Sequence, residues 1–338
     1  MVSLAIDRLT LRTSMPALVL VATCSPVAAQ TTAQTVEEEL SRTAADLNIG
    51  KGFQTIAVLG QTPGTSSTTL NGDDAEIRTS KLHAQHRFTR RDFTGRVITS
   101  PFLEITLGRA KANQAIVSDA SSPSPYRMDL QYRSRSVLIN GGAVIPVGAD
   151  TRVTPMVTFG RSTLRIDGQY SGANADIVNE VFDGLLDDAR IKSVFIGPAL
   201  QIDHKRMVLR DSRLTTVVRY NHVFNLSNSV TDPGLEPRGS AGVGTLYAKI
   251  DSPTRIYLGE REVFAGVFAR GTVITGAGRK QFGFDNYAEL GGTFVLDYPT
   301  QRGIGLGVYG SVLKGRGVDG HSLGVTIRFA GMSAGGPS

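Results

Sequence analysis

Histidine is the side chain whose ordinary pKa best suits proton transfer near neutrality, and the chain has five: His83, His86, His204, His222 and His321. On a strand, a base and a nucleophile share a face only when they lie two residues apart. No histidine is followed by serine at that spacing; the residues found there are Gln85, Phe88, Arg206, Phe224 and Leu323. His321 directly precedes Ser322, which sends the two side chains to opposite faces. His83 and His86, three apart, diverge in the same way. His222 has Asn221 and Asn225 beside it but no acid–base partner. Asp73 and Asp74 are adjacent carboxylates in a predicted loop, and no histidine pairs with them in sequence. The one cysteine is Cys24, and no zinc-like spacing or phosphate-cradling glycine loop occurs. The sequence therefore predicts no catalytic residue, no metal ligand and no cofactor.

The elements that would position any chemistry come next. Residues 1–29 have the pattern of a secretory signal peptide: Arg8 and Arg12, the apolar run MPALVLVATC, then Val27-Ala28-Ala29 before Gln30. Residues 30–50 hold a predicted helix over 36–47 (VEEELSRTAADL), capped by Thr35 and ended by Asn48 and Gly50. From there the hydrophobic period changes from 3.6 to 2. Twelve alternating segments are predicted: 53–60, 76–88, 96–112, 127–144, 152–167, 191–203, 208–224, 243–251, 255–272, 281–297, 302–314 and 320–329. Within 243–272 the turn fits either 251–255 or 259–262. Many segments exceed the usual five or six residues of soluble sheets, and roughly 9–11 residues cross a bilayer as a tilted strand.

The predicted connections alternate long and short, with 61–75, 113–126, 168–190, 225–242, 273–280 and 315–319 as the long ones. Such alternation is the pattern of a transmembrane antiparallel up-and-down β-barrel. The fold class expected is therefore all-β: an outer-membrane barrel of about 12 strands over 51–329, with a short N-terminal helix and a flexible periplasmic tail over 330–338. A soluble sandwich would have to bury the charges of the second face, at high cost. The net charge of +6 over 338 residues is mild, and no nucleic-acid partner is expected.

In that barrel the apolar positions face lipid and the charged positions face the lumen. The lumen-lining set is then Lys81, His83, Arg87, Glu104, Asp129, Arg133, Arg135, Arg213, Arg219, Asp285, Glu289 and Asp297, with Asp203 beside them. Two arrangements fit. The charges pair across the lumen and close it, with helix 36–47 as a plug, or they line a narrow pore whose arginine excess favours anions. Two basic stretches, GAGRKQFG (276–283) and KGRG (314–317), fit solvated outer loops or a contact with lipopolysaccharide. Residues 174–190 carry Ile177, Val178, Val181, Phe182, Leu185 and Leu186 at helical spacing, a predicted amphipathic helix in the longest loop. It suits a cover over the barrel mouth or a partner-binding element.

The last strand, LGVTIRF, alternates Leu323, Val325, Ile327 and Phe329. This resembles the terminal signature read by the outer-membrane assembly machinery. The twelve strands, the leading helix and the glycine-rich late strands (GIGLGVYGSVLKG, then GHSLGVTIRF) resemble the translocator barrel of autotransporters. The resemblance covers roughly 50–329 and implies a Gram-negative outer membrane, with lipid, lipopolysaccharide and the assembly machinery as partners. It departs from the family in two ways. About 20 residues separate Gln30 from the first predicted strand, which leaves no passenger, and nine residues follow Phe329. The functions implied are a non-enzymatic structural or transport barrel, a small-solute channel, or a surface adhesin acting through 168–190.

Overall fold

The computed structural model describes residues 65–72, 75–88, 91–93, 97–117, 126–172, 187–209, 211–231, 239–259, 261–276, 284–296, 304–329 and 332–334, together with Ala175 and Asn179. The predicted signal peptide, helix 36–47 and strand 53–60 lie outside the described residues. The strands are β1 (Thr65–Gly72), β2 (Ala75–Arg87), β3 (Arg91–Phe93), β4 (Val97–Val117), β5 (Tyr126–Pro146), β6 (Thr151–Gly172) and β7 (Ala189–Val208). They continue with β8 (Ser212–Val230), β9 (Ser240–Leu258), β10 (Arg261–Gly276), β11 (Asn286–Leu296), β12 (Ile304–Gly315), β13 (Val318–Phe329) and β14 (Met332–Ala334). Every pairing is antiparallel, and β1 pairs with β13 from Thr65↔Val325 to Gly72↔Val318, so the sheet closes on itself. Twelve of the strands form the barrel; β3 and β14 are short additions.

The closing partner of β13 is thus 65–72, which lies within the long connection 61–75 expected from the sequence. The segment TSSTTLNG carries one large apolar residue, Leu70, and so shows no hydrophobic alternation. Its threonines favour a strand through branching at Cβ, a signal that periodicity does not detect. Because β1 is only eight residues long, it leaves part of β2 and β13 without a neighbour. There β14 inserts, pairing Phe329↔Met332 on one side and Met332↔His86 on the other. Part of the expected flexible tail is therefore a strand, and it covers edge groups that would otherwise be open.

The turn in doubt within 243–272 falls at 259–260, where Gly259 takes φ 68°. The long connections 118–125, 173–188, 231–239 and 277–285 all leave one end of the barrel, and 147–150, 209–211 and 259–260 leave the other. Two connections expected to be long are tight instead. They are 73–74 and 316–317, the latter with Gly317 at φ 70°.

Alternation along each strand sends one set of side chains inward and the other outward. On β4 the outward residues are Ile105, Leu107, Arg109 and Lys111, and the buried inward ones are Glu104, Thr106, Ala110 and Ala112. On β6 the outward set is Val157, Phe159, Arg161 and Arg165, and the inward set is Thr158, Ser162, Leu164 and Ile166. Polarity therefore reverses partway along a single strand. Nearer the short connections, apolar residues point out and polar ones in; nearer the long connections the reverse holds. The outward apolar part is continued by Leu82, Ile139, Ile196, Val218, Leu246, Val267, Phe294, Val308 and Leu323 around the closed sheet. An apolar belt of this extent is far larger than soluble monomers expose.

Candidate functional site

The interior follows from that alternation. Glu104 on β4 and Arg219 on β8 meet in a two-pronged ion pair, with Nη1 donating to Oε2 at 2.8 Å and Nη2 to Oε1 at 2.7 Å. Three strands lie between them in the sheet, so the pair reaches across the lumen. Both side chains are sealed from solvent, Glu104 at 0% and Arg219 at 1% exposure. Burying two charges is costly unless their remaining hydrogen-bonding capacity is met. Here Asn140 Nδ2 donates to Glu104 Oε1 at 2.7 Å, and Thr158 Oγ1 donates to Asn140 Oδ1 at 2.5 Å. Arg219 donates further to Asn221 and Gln201, each at 3.2 Å. The network ties β4, β5, β6, β7 and β8 together.

A second buried pair lies opposite. Arg270 Nη1 donates to Glu289 Oε2 at 3.0 Å, and Ser311 Oγ donates to Glu289 Oε1 at 2.5 Å. The Arg270 guanidinium also stands 5.3 Å from the Tyr247 ring centre and 5.9 Å from that of Phe268, within cation–π range. A third group joins Lys249 to Asp251 at 2.8 Å, with Arg213 at 3.9 Å. Toward the long connections the lumen is filled by an apolar cluster including Leu70, Ile77, Leu138, Phe195, Val243 and Ile274.

One line of groups has the types of a hydrolytic relay. His83 Nδ1 lies 3.1 Å from Thr106 Oγ1, and His83 Nε2 lies 3.8 Å from Glu104 Oε2. The second distance is too long for a hydrogen bond, and both carboxylate oxygens already accept from Arg219 or Asn140. The hydroxyl is buried at 0% exposure, beyond the reach of a substrate. The geometry is that of a structural network. Among the described residues, no group of three or more His, Cys, Asp or Glu is placed to hold a metal ion.

Of the residues assigned to the lumen from sequence, His83, Glu104, Arg219, Glu289 and Asp203 are buried there, and Lys81 and Arg213 point inward half-buried. Arg87 is exposed at the end of β2, and Asp285 is exposed just before β11. Asp297 lies outside the described residues. Three residues need correction. Asp129, Arg133 and Arg135 stand exposed on the outer face of β5, with Asp129 held by Arg127 at 2.8 Å. The apolar residues that alternate with them, Met128, Leu130 and Leu138, are buried inside instead of facing lipid. The cause is the reversal of polarity within the strand: β5 has 21 residues, about twice what a bilayer needs.

The interior also holds groups that the sequence reading missed, namely Arg270, Asn140, Lys249 and Asp251. Arg270 was detectable, because Phe268, Arg270 and Thr272 share a face opposite the exposed Val267 and Val273. In the terminal strand, Leu323 and Val325 face outward at 64% and 46% exposure, and Phe329 pairs with Ile304. In the 173–188 connection Ala175 and Asn179 are helical, and the Asn179 amide bonds the Tyr170 backbone at 3.1 and 3.2 Å.

No protein-family model and no curated protein matches the sequence. Among solved structures, the chain is similar to the beta domain of the Bordetella autotransporter BrkA, at 10% identity and a TM-score of 0.47 over 79% of this chain and 96% of that one. It is also similar to the translocator domain of the autotransporter NalP from Neisseria meningitidis, at 13% identity and 0.45 over 89% and 100%. A third is the transport unit of AIDA-I from Escherichia coli, at 9% identity and 0.44 over 84% and 96%.

Proposed function

We propose that this chain is a non-enzymatic outer-membrane barrel of the autotransporter type whose resting lumen is closed, serving a structural role and not that of an open channel. The exposed apolar belt supports insertion into a bilayer, since water would oppose so much outward apolar surface. The observation that carries the closed state is the Glu104–Arg219 pair, which joins β4 to β8 across the lumen with no water-accessible surface on Glu104. An open pore keeps its charged lining wet. The apolar cluster toward the long connections adds a second barrier, because an apolar constriction excludes both ions and water. Orientation follows the usual rule for such barrels, with the long connections outside the cell and the short ones in the periplasm.

The test is conductance. The full chain, refolded and shown by flotation to insert into lipid vesicles, is fused into planar bilayers. No steady conductance is expected under either polarity. A steady ohmic current carried by the wild-type chain would overturn the closed reading and establish a narrow channel.

A further inference from the structure

The outer face of the barrel carries an arrangement that the closed lumen does not explain. The backbone register places Arg78 on β2 opposite Lys111 on β4, Lys111 opposite Arg133 on β5, Arg133 opposite Arg165 on β6, and Arg165 opposite Arg190 on β7. Five cations thus stand side by side on five neighbouring strands, all pointing outward and exposed. At a strand spacing of about 4.8 Å the row is about 19 Å long. The next outward row holds Arg109, Arg135 and Lys192, where Arg109 faces Arg135 directly. Like charges placed opposite one another across a ladder destabilise it. Two such rows call for anions to offset them.

The carboxylates nearby are too few to be those anions. Three carboxylates serve the first row: Glu76 contacts Arg78 at 2.6 Å, Asp167 contacts Arg165 at 3.2 Å and Arg133 at 3.7 Å, and Asp188 contacts Arg165 at 2.7 Å and Arg190 at 3.4 Å. Among the described residues, no carboxylate lies within ion-pair distance of Lys111, Arg109, Arg135 or Lys192. The five cations of the first row thus share three carboxylates and the three of the second row have none among the described residues, whereas the interior cations Arg219 and Arg270 have a bonded carboxylate each.

The surroundings specify the ligand. On one side the rows adjoin the apolar belt directly: the row after Arg109 and Arg135 is Leu82, Leu107 and Val137. On the other side lies an open cavity of about 1000 Å³, lined by polar side chains including Asn113, Gln131, Asp167, Gln169 and Asn179. Amides and carboxylates of this kind hydrogen-bond hydroxyl groups. Moving along the strands, the order is apolar, cationic, then neutral and acidic polar. We infer that the outer face of β2–β7 is a binding site for a phosphorylated glycolipid of the surrounding leaflet, with acyl chains on the belt, phosphates on the two cation rows and sugar in the polar cavity. Arginine forks suit phosphate oxygens in pairs, which fits the preponderance of arginine over lysine. The inference rests on the membrane-inserted reading above.

The test uses the full chain refolded in neutral detergent, with bis-phosphorylated lipid A as the probe and native mass spectrometry as the readout. The wild-type chain is expected to retain the probe. The variant Arg109→Gln/Lys111→Gln/Arg135→Gln is expected to bind it about tenfold more weakly or worse, with a flatter salt dependence. Dephosphorylated lipid A is expected to bind the wild type as poorly as the probe binds the variant. That comparison needs no mutation and stands even where the variant misfolds. Equal retention of phosphorylated and dephosphorylated glycolipid would overturn the proposal. Equal retention of phosphatidylglycerol would overturn the sugar component, and full competition by millimolar inorganic phosphate would reduce the site to one for free anion. A chain that fails to float with vesicles breaks the membrane reading itself; a chain that floats but ignores the probe breaks only this one.

Discussion

The two halves of each long strand solve opposite problems. Toward the short connections, β4 points Ile105 and Leu107 outward and Glu104 and Thr106 inward. Toward the long connections, the same strand points Arg109 and Lys111 outward and Ala110 and Ala112 inward. The first half is organised for lipid outside and polar contacts within. The second is organised as a soluble protein, with an apolar core and a charged surface. The change of sign along the strand marks where the chain leaves hydrocarbon, because each half buries what its surroundings reject. The charges follow the same division. Inside the first half Arg219 is matched with Glu104 and further hydrogen-bonded; outside the second, cations stand beside cations and outnumber the carboxylates that contact them.

The largest effect comes from breaking a matched interior charge. Arg219→Met leaves Glu104 buried without its partner, which costs about 3–5 kcal/mol. Urea unfolding of the refolded barrel, followed by circular dichroism, measures the loss. The double variant Arg219→Met/Glu104→Gln should recover a large part of it, since the unpaired charge is then gone. A single variant as stable as wild type would mean that the lumen is wet enough to solvate a lone carboxylate.

A smaller effect separates the two outer surfaces. Ile139 and Arg135 lie four residues apart on the same face of β5. Ile139→Arg puts a cation into the belt and should cost about 2–4 kcal/mol if that position lies near the bilayer midplane. Arg135→Leu, on the other side of the sign change, should stay within about 0.5 kcal/mol, as ordinary surface substitutions do. Both are read from unfolding in vesicles of neutral lipid. Equal costs for the two would erase the boundary between the halves.

The sign change also explains what the sequence could and could not tell. Long alternating strands, antiparallel pairing and closure through the last strand are properties of period, and period is written in the residues. LGVTIRF and LEITL declare themselves on this basis. Facing is a different matter. In MDLQYRSRSVLIN the strand runs on without a break, yet the apolar residues Met128 and Leu130 face inward, while Val137 and Ile139 face outward on either side of the buried Leu138. A rule that sends apolar residues to lipid throughout places Arg133 and Arg135 inside, which is wrong for the half beyond the belt. The telling feature was present as a shift of one position in the apolar register between Tyr132 and Val137. β1 was illegible for another reason, since TSSTTLNG has branched β-formers but no apolar face. The interior pairs were half legible. Glu104 and Arg219 are visible as charges in apolar strands, but their contact depends on closure, which brings together residues 115 apart.

The smallest effect is the most discriminating, because its sign depends on what surrounds the barrel. Lys111 sits between Arg78 and Arg133 in the cation row. Lys111→Glu turns two like-charge neighbours into two opposite-charge neighbours, each worth about 0.2–1 kcal/mol in a ladder. In neutral detergent at low salt the variant should therefore be more stable than wild type, by about 1 kcal/mol. The gain should fade as salt shortens the screening length. With bis-phosphorylated lipid A present the order should invert, because a ligand that binds only the folded wild-type barrel stabilises it by mass action, and the variant has lost part of that site. Urea midpoints measured with and without the glycolipid give both signs. A variant that is more stable under both conditions would leave the row as plain surface charge. One that is less stable under both would show that Lys111 supports the fold by a route unrelated to its charge. Only the inversion joins the under-matched cations outside to the matched ones inside under a single rule: each charge is placed where its counter-charge will be, and outside, where carboxylates are too few, the remainder comes from the membrane.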